Sequence, residues 1–148
     1  MNVAIATLAM PMSQASDQVR IGVAVQSLRA ALRVFRPETH PHEWSSSQMN
    51  LANALQYLPS SHREDNLREA VELLEEVLAR RSPRSDPMGY ARALANQANA
   101  LAHLGAFDDA DEKYRTAREL FAQSGDDDAV GVVDRQLAQI DEQRAGAR

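Results

Sequence analysis

An all-α fold follows from three features of this sequence. Aromatic residues make up only 5 % of the chain while Ala and Leu abound, a composition suited to closely packed helices rather than strands. Turn-forming residues recur at regular intervals, with stretches of helical periodicity between them. A nine-residue string, NLANALQYL at 50–58, returns as NQANALAHL at 96–104, identical at six of nine positions. Helices of similar length, short turns and internal self-similarity together mark a helical repeat array.

The turns are FRPETHP (35–41), LPSSHRED (58–65), RRSPRSDP (80–87), LGAF (104–107) and SGDDD (124–128). The first helical segment, 17–36, places Val23, Leu28, Ala31, Leu32 and Phe35 on one broad face. The second, 41–58, gathers Trp44, Leu51, Leu55 and Leu58. The third, 65–81, carries Leu67, Ala70, Val71, Leu74, Val77 and Leu78 in a 3-4 rhythm. Leu94, Leu101 and Leu104 mark the fourth (87–104), Phe107, Ala110, Tyr114, Ala117 and Phe121 the fifth (107–122), and Val130, Val133, Leu137 and Ile140 the sixth (127–143).

End signals agree with these segments. Asp86 before Pro87 reads as an N-cap followed by a proline whose missing N–H costs nothing at that position, and Pro41 opens its helix in the same way. Asp65 and Asp126 are further candidate caps. Gly105 and Gly125 suit helix C-termini. Glu64/Arg68, Glu76/Arg80 and Asp111/Arg115 are i,i+4 pairs, each contributing about 0.2–0.5 kcal/mol.

Composition excludes several classes. The absence of cysteine removes disulfides and thiolate metal sites. A net charge of −5 argues against nucleic acid as a partner. No window reaches the ~18–20 apolar residues of a membrane span. The apolar start, MNVAIATLAMPM, lacks the charged opening of a signal peptide and is expected to pack on the domain. The expectation is a cytoplasmic protein of one domain, 1–148, without cofactor or metal.

In ALANQANALAHLGAFDDADEKYRTARELF (93–121) the order of residues resembles a tetratricopeptide repeat. Leu94, Ala98 and Leu101 stand where the first helix of such a repeat packs, Gly105 and Phe107 at its turn, and Ala110, Tyr114 and Ala117 on its second helix. Upstream, Pro41, Glu43 and Trp44 match the P-x-E-W helix start of the variant common in bacteria. The 46-residue spacing, against about 34 in the family, comes partly from the longer turn PSSHREDN. The resemblance covers roughly residues 20–122. It implies an α-α superhelix: a right-handed solenoid of three helix hairpins (3–36, 41–82, 86–122) with a capping helix at 126–143. It also implies binding of a protein or peptide along a concave face.

The helical wheel separates two roles within the repeated string. Measured from Asn50 at 100° per residue, Leu51, Leu55 and Leu58 fall near 100°, 140° and 80°, while Ser46, Asn53 and Tyr57 fall at about 320°, 300° and 340°. Ser46, Asn50, Asn53 and Tyr57 therefore form one polar row. Arg92, Asn96, Asn99 and His103 repeat it 46 residues on. In the resembled family this side of the first helix faces the groove, where Asn often holds the backbone of a bound extended peptide. A carboxamide both donates and accepts, so it can pair with any peptide unit. Four mid-helix asparagines cost roughly 2 kcal/mol relative to alanine. Solvated asparagines and asparagines that tie one hairpin to the next remain alternative readings.

Some chaperone-binding members of the family clamp a C-terminal carboxylate with paired Lys and Asn. Asn53 and Asn99 fit that pattern, but Met49 and Ala95 stand one turn earlier where cations are needed. Arg92, with Arg135 on the last helix, is the remaining source of positive charge. His40, His42 and Glu43 lie close in sequence but read as a helix start, and DDADE (108–112) and GDDDA (125–129) as dipole-matched helix starts rather than calcium loops. No phosphate loop or nucleophile elbow occurs, and no acid/base pair stands out, so no enzymatic activity is expected. The function expected is a protein–protein adaptor. The alternative is a stabilising subunit that homodimerises or docks on a partner enzyme.

Overall fold

The computed structural model describes residues 15–147, with side chains from 16 to 146. The apolar Met1–Met12 segment and the leading helix expected from residue 3 lie outside the described residues. Those described form six helices and no strand: α1 (Ala15–Val34), α2 (Pro41–Tyr57), α3 (Arg63–Ala79), α4 (Pro87–His103), α5 (Phe107–Gln123) and α6 (Asp127–Ala147). The fold is all-α. The chain divides into two compact units between Leu73 and Leu74, within α3.

In the first unit α1 packs on α2. The buried stripe of α1 is Ile21, Ala24, Val25 and Leu28, spaced 3-1-3 along one face. Val23, expected on that face, is 49 % exposed. The helix carries Val19, Ile21, Val23 and Val25 on several sides, so hydropathy alone offers two stripes, and among the described residues one of them is buried. Arg29 forks onto Glu69 of α3 with bonds of 2.8 and 2.9 Å, which raises the guanidinium pKa. On α2, Trp44, Leu51 and Leu55 are buried as expected, and so is Gln48, whose Nε2 donates to the Leu73 carbonyl at 3.1 Å.

The turn from α2 to α3 follows from Pro59. It holds Leu58 in an extended conformation (ψ 117°), so α2 stops at Tyr57. The Gln56 carbonyl, in the last turn of α2, accepts from Arg63 Nη1 at 2.9 Å. Because α3 already begins at Arg63, Asp65 is not its cap. It lies with Glu64 in the first turn, where negative charge suits the helix dipole.

The second unit shows how strongly local signals fix the ends. Asp86 caps α4, accepting from Gly89 N at 3.0 Å, with Pro87 in the first turn. Gly105 (φ 82°) and Gly125 (φ 77°) end α4 and α5 in left-handed backbone. In both turns the N–H five residues on closes the helix: Ala106 to Leu101 O at 2.9 Å and Asp126 to Phe121 O at 3.0 Å. This doubled Schellman closure requires glycine at the positive-φ position. Asp126 then caps α6 through Ala129 N at 3.1 Å. Thus α4 packs on α5, and α5 on α6, through Ala98, Ala110, Tyr114, Ala117, Phe121, Val133, Leu137 and Ile140, all buried.

The last helix runs beyond residue 143, to Ala147. Arg144 Nη2 donates to the Phe107 carbonyl at 2.8 Å and pairs with Asp108 at 3.0 Å, which fastens the final turns of α6 to the start of α5. Arg118 of α5 pairs with Asp134 of α6 at 2.5 Å, and the guanidinium holds that carboxyl below its ordinary range.

Candidate functional site

Each polar row lies on a single helix. In the first unit α2 carries Ser46, Asn50 and Asn53 half-buried and Tyr57 52 % exposed. Among the described residues, the Asn50 and Asn53 carboxamides take no hydrogen bond. Leu51, Ala52, Ala54 and Leu55 are buried, together with Ser45, Ser47, Gln48 and Gln56, so α2 buries a side of mixed polarity and leaves the polar row half-buried to exposed.

In the second unit α4 carries Arg92 and His103 exposed, with Asn96 and Asn99 half-buried. Asn99 is engaged from within. The hydroxyl of Tyr114, on α5 and 2 % exposed, donates to its carboxamide oxygen. This bond occupies one of the two acceptor positions of the amide oxygen and leaves the NH₂ and the second lone pair for other partners. Asn53, at the equivalent place of the first string, has no such neighbour: aligning Ala70 with Ala110 puts Leu74 opposite Tyr114, and leucine has no hydroxyl.

Asn99 and His103 also share a pocket. Its lining is Asn99, Ala102 and His103 of α4, Tyr114 of α5, and Gln136, Gln139, Ile140 and Gln143 of α6. Of these, Tyr114 and Ile140 are buried. The three glutamines were not anticipated from the sequence. Their 3-4 spacing in RQLAQIDEQ was the available signal, overshadowed by the apolar rhythm of the same helix.

Two buried glutamines were also unanticipated. Gln97 is 1 % exposed, and its Nε2 donates to Glu75 Oε2 at 2.7 Å. Gln48 occupies the place of Leu94 in the repeated pattern, and Gln97 the place of Leu51. Amide and leucine have exchanged positions one turn apart, and each amide nitrogen donates a hydrogen bond.

The other candidate constellations lie apart. His40 and His42 are exposed, His40 contacting Thr39 Oγ1 at 3.0 Å, and His62 stands 3.9 Å from Asp65 on the surface. Among the described residues, no three His, Cys, Asp or Glu side chains gather as a metal site, and no helix is long and apolar enough to cross a membrane. Arg135 is exposed on α6.

No family model matches the chain, and no curated protein matches it.

Proposed function

We propose that this protein is a tetratricopeptide-type adaptor that binds an extended segment of a protein partner, with the Ser46–Asn50–Asn53–Tyr57 and Arg92–Asn96–Asn99–His103 rows as its contacts. The superhelical stacking of hairpins belongs to the same proposal. The observation that carries the reading is the state of Asn50 and Asn53. Both stand mid-helix, half-buried, beside the exposed Tyr57, with no hydrogen-bond partner among the described residues. Asparagine is disfavoured in helix interiors, so its repeated use there without an internal bond points to a role outside the fold. Carboxamides along a helix can pair with successive peptide units whatever their side chains, and Arg92 adds attraction for acidic residues.

One observation favours a second reading, in which the chain is a docking or self-associating subunit. Val19 and Val23, one turn apart on α1, are 67 % and 49 % exposed. Hydrogen exchange on the full chain with the protein that co-purifies from its native source separates the two. Protection over 46–57 and 92–103 supports the adaptor. Protection confined to α1 supports the subunit and contradicts the rows.

A further inference from the structure

We infer that the exposed valine row of α1 is the interface of a homodimer, in which two copies of the helix pair antiparallel across a two-fold axis. The inference rests on the second reading above and names the occupant of that surface as a second copy of this chain. One face of α1 buries Ile21, Ala24, Val25 and Leu28. On the opposite face Val19, Val23, Ala30 and Val34 are exposed, the three valines at 67 %, 49 % and 67 %. At 100° per residue these four fall within about 60° of one another, so they make one row. Gln26, also exposed, is the polar residue within it.

Four observations select a second copy as the partner. First, positions 19, 23, 30 and 34 are spaced 4-7-4, a palindrome centred between Gln26 and Ser27. A two-fold interface must complement itself, with residue i meeting j while j meets i. An antiparallel copy centred there sets each Val19 against Val34 of the other copy, and each Val23 against Ala30. Second, the two Gln26 side chains meet beside the axis, where each carboxamide donates to and accepts from the other. A polar residue inside an apolar seam fixes the register of such a pair. Third, the row carries no charge, and the cations on its two sides are held within the chain. Arg20 pairs with Asp17 at 3.2 Å, and Arg29 with Glu69 at 2.8 and 2.9 Å. Fourth, Gly22 stands one turn from Val19 and Gln26, at the edge of the row. Glycine is unfavourable inside a helix. A Cβ at Gly22 meets nothing within 4 Å, so packing among the described residues does not require glycine there. A closely approaching second helix does. The row is about 22 Å long, and one helix pair buries less than the ~1,200 Å² of a standard interface, so the dimer is weak and concentration-dependent.

The test is sedimentation velocity on the full chain from about 1 µM to 1 mM, with Val23→Glu as the comparison. The expected result is a mass rising from one chain to two, with dimerisation weakened tenfold or more by Val23→Glu. The melting temperature at 1 µM, where both proteins are single chains, should be the same, since Val23 is exposed. The chain has no cysteine, so engineered ones report the pairing directly. In an equimolar mixture of Val19→Cys and Val34→Cys proteins, a short bis-maleimide should link unlike variants in preference to like ones. Preferential linking of like variants overturns the antiparallel pairing. Links from either cysteine-bearing α1 to residues 1–14 of its own chain overturn the dimer and assign the row to that segment. A chain that stays single at 1 mM, but whose co-purifying partner is lost on Val23→Glu, overturns the dimer and leaves the docking subunit standing. A single chain that keeps its partner after Val23→Glu overturns both.

Discussion

Tyr114 on α5 donates its buried hydroxyl to the carboxamide oxygen of Asn99 on α4, so one asparagine of the repeated string is bound into the fold while its counterpart, Asn53, is not. The two copies of Asn-x-x-Asn thus differ in their hydrogen bonding. Replacing Tyr114 by Phe keeps the ring packing and removes only the donor. Thermal unfolding is expected to show a loss of about 0.5–1.5 kcal/mol. Asn99→Ala breaks the same bond but gains about half a kcal/mol in helix propensity, so its net loss should be smaller, and combining the two should cost less than their sum, as groups in direct contact do. Fully additive losses would show that the bond contributes nothing.

Gly89 reverses a general rule. Glycine to alanine inside a helix ordinarily stabilises by about 0.5–1 kcal/mol. Here a Cβ would stand 2.7 Å from Asp86 Cγ and closer still to Arg81 Nη1, displacing the capping carboxylate and its ion pair. Gly89→Ala is therefore expected to lower the melting temperature, with faster amide exchange in the first turn of α4. A rise in melting temperature would show that the cap yields without cost.

The Arg118–Asp134 pair gives stability a pH signature. Its carboxyl is held below the ordinary value of 3.8, so folding gains from ionised Asp134 above that value and loses the gain as pH falls through the lower folded-state pKa. Both side chains are about half exposed, so the effect is small and salt-sensitive. Urea unfolding of wild type and Asp134→Asn should differ at pH 6 in low salt, with wild type the more stable, and converge towards pH 2 or in high salt. A gap that widens on acidification would contradict the assignment.

Helix positions were largely legible because the chain punctuates itself with residues of specific backbone chemistry. Asp86–Pro87, Gly105 and Gly125–Asp126 act through caps and positive φ, which local sequence dictates. Three features were less legible, each for a physical reason. Asp65 has the chemistry of a cap, but Pro59 ends α2 early enough for α3 to begin at Arg63. Val23 lost to Ile21 because α1 is apolar on more than one side, and the covered side depends on neighbours distant in sequence. Gln48 and Gln97 read as polar, yet are buried because the Leu73 carbonyl and Glu75 accept from them. The asparagine rows were readable as rows. What the wheel could not give was the hydroxyl beneath Asn99, which comes from a different helix.

The most direct test of the central claim, that the asparagine row of α2 acts outside the fold, is Asn50→Ala/Asn53→Ala in the full chain, with partner affinity and melting temperature measured on the same preparation. Alanine is the better helix former by about half a kcal/mol per position, and among the described residues neither carboxamide has a hydrogen bond to lose. The account predicts weakened binding of the co-purifying partner with a melting temperature unchanged or raised. Unaltered affinity, or affinity and melting temperature falling together, would contradict it.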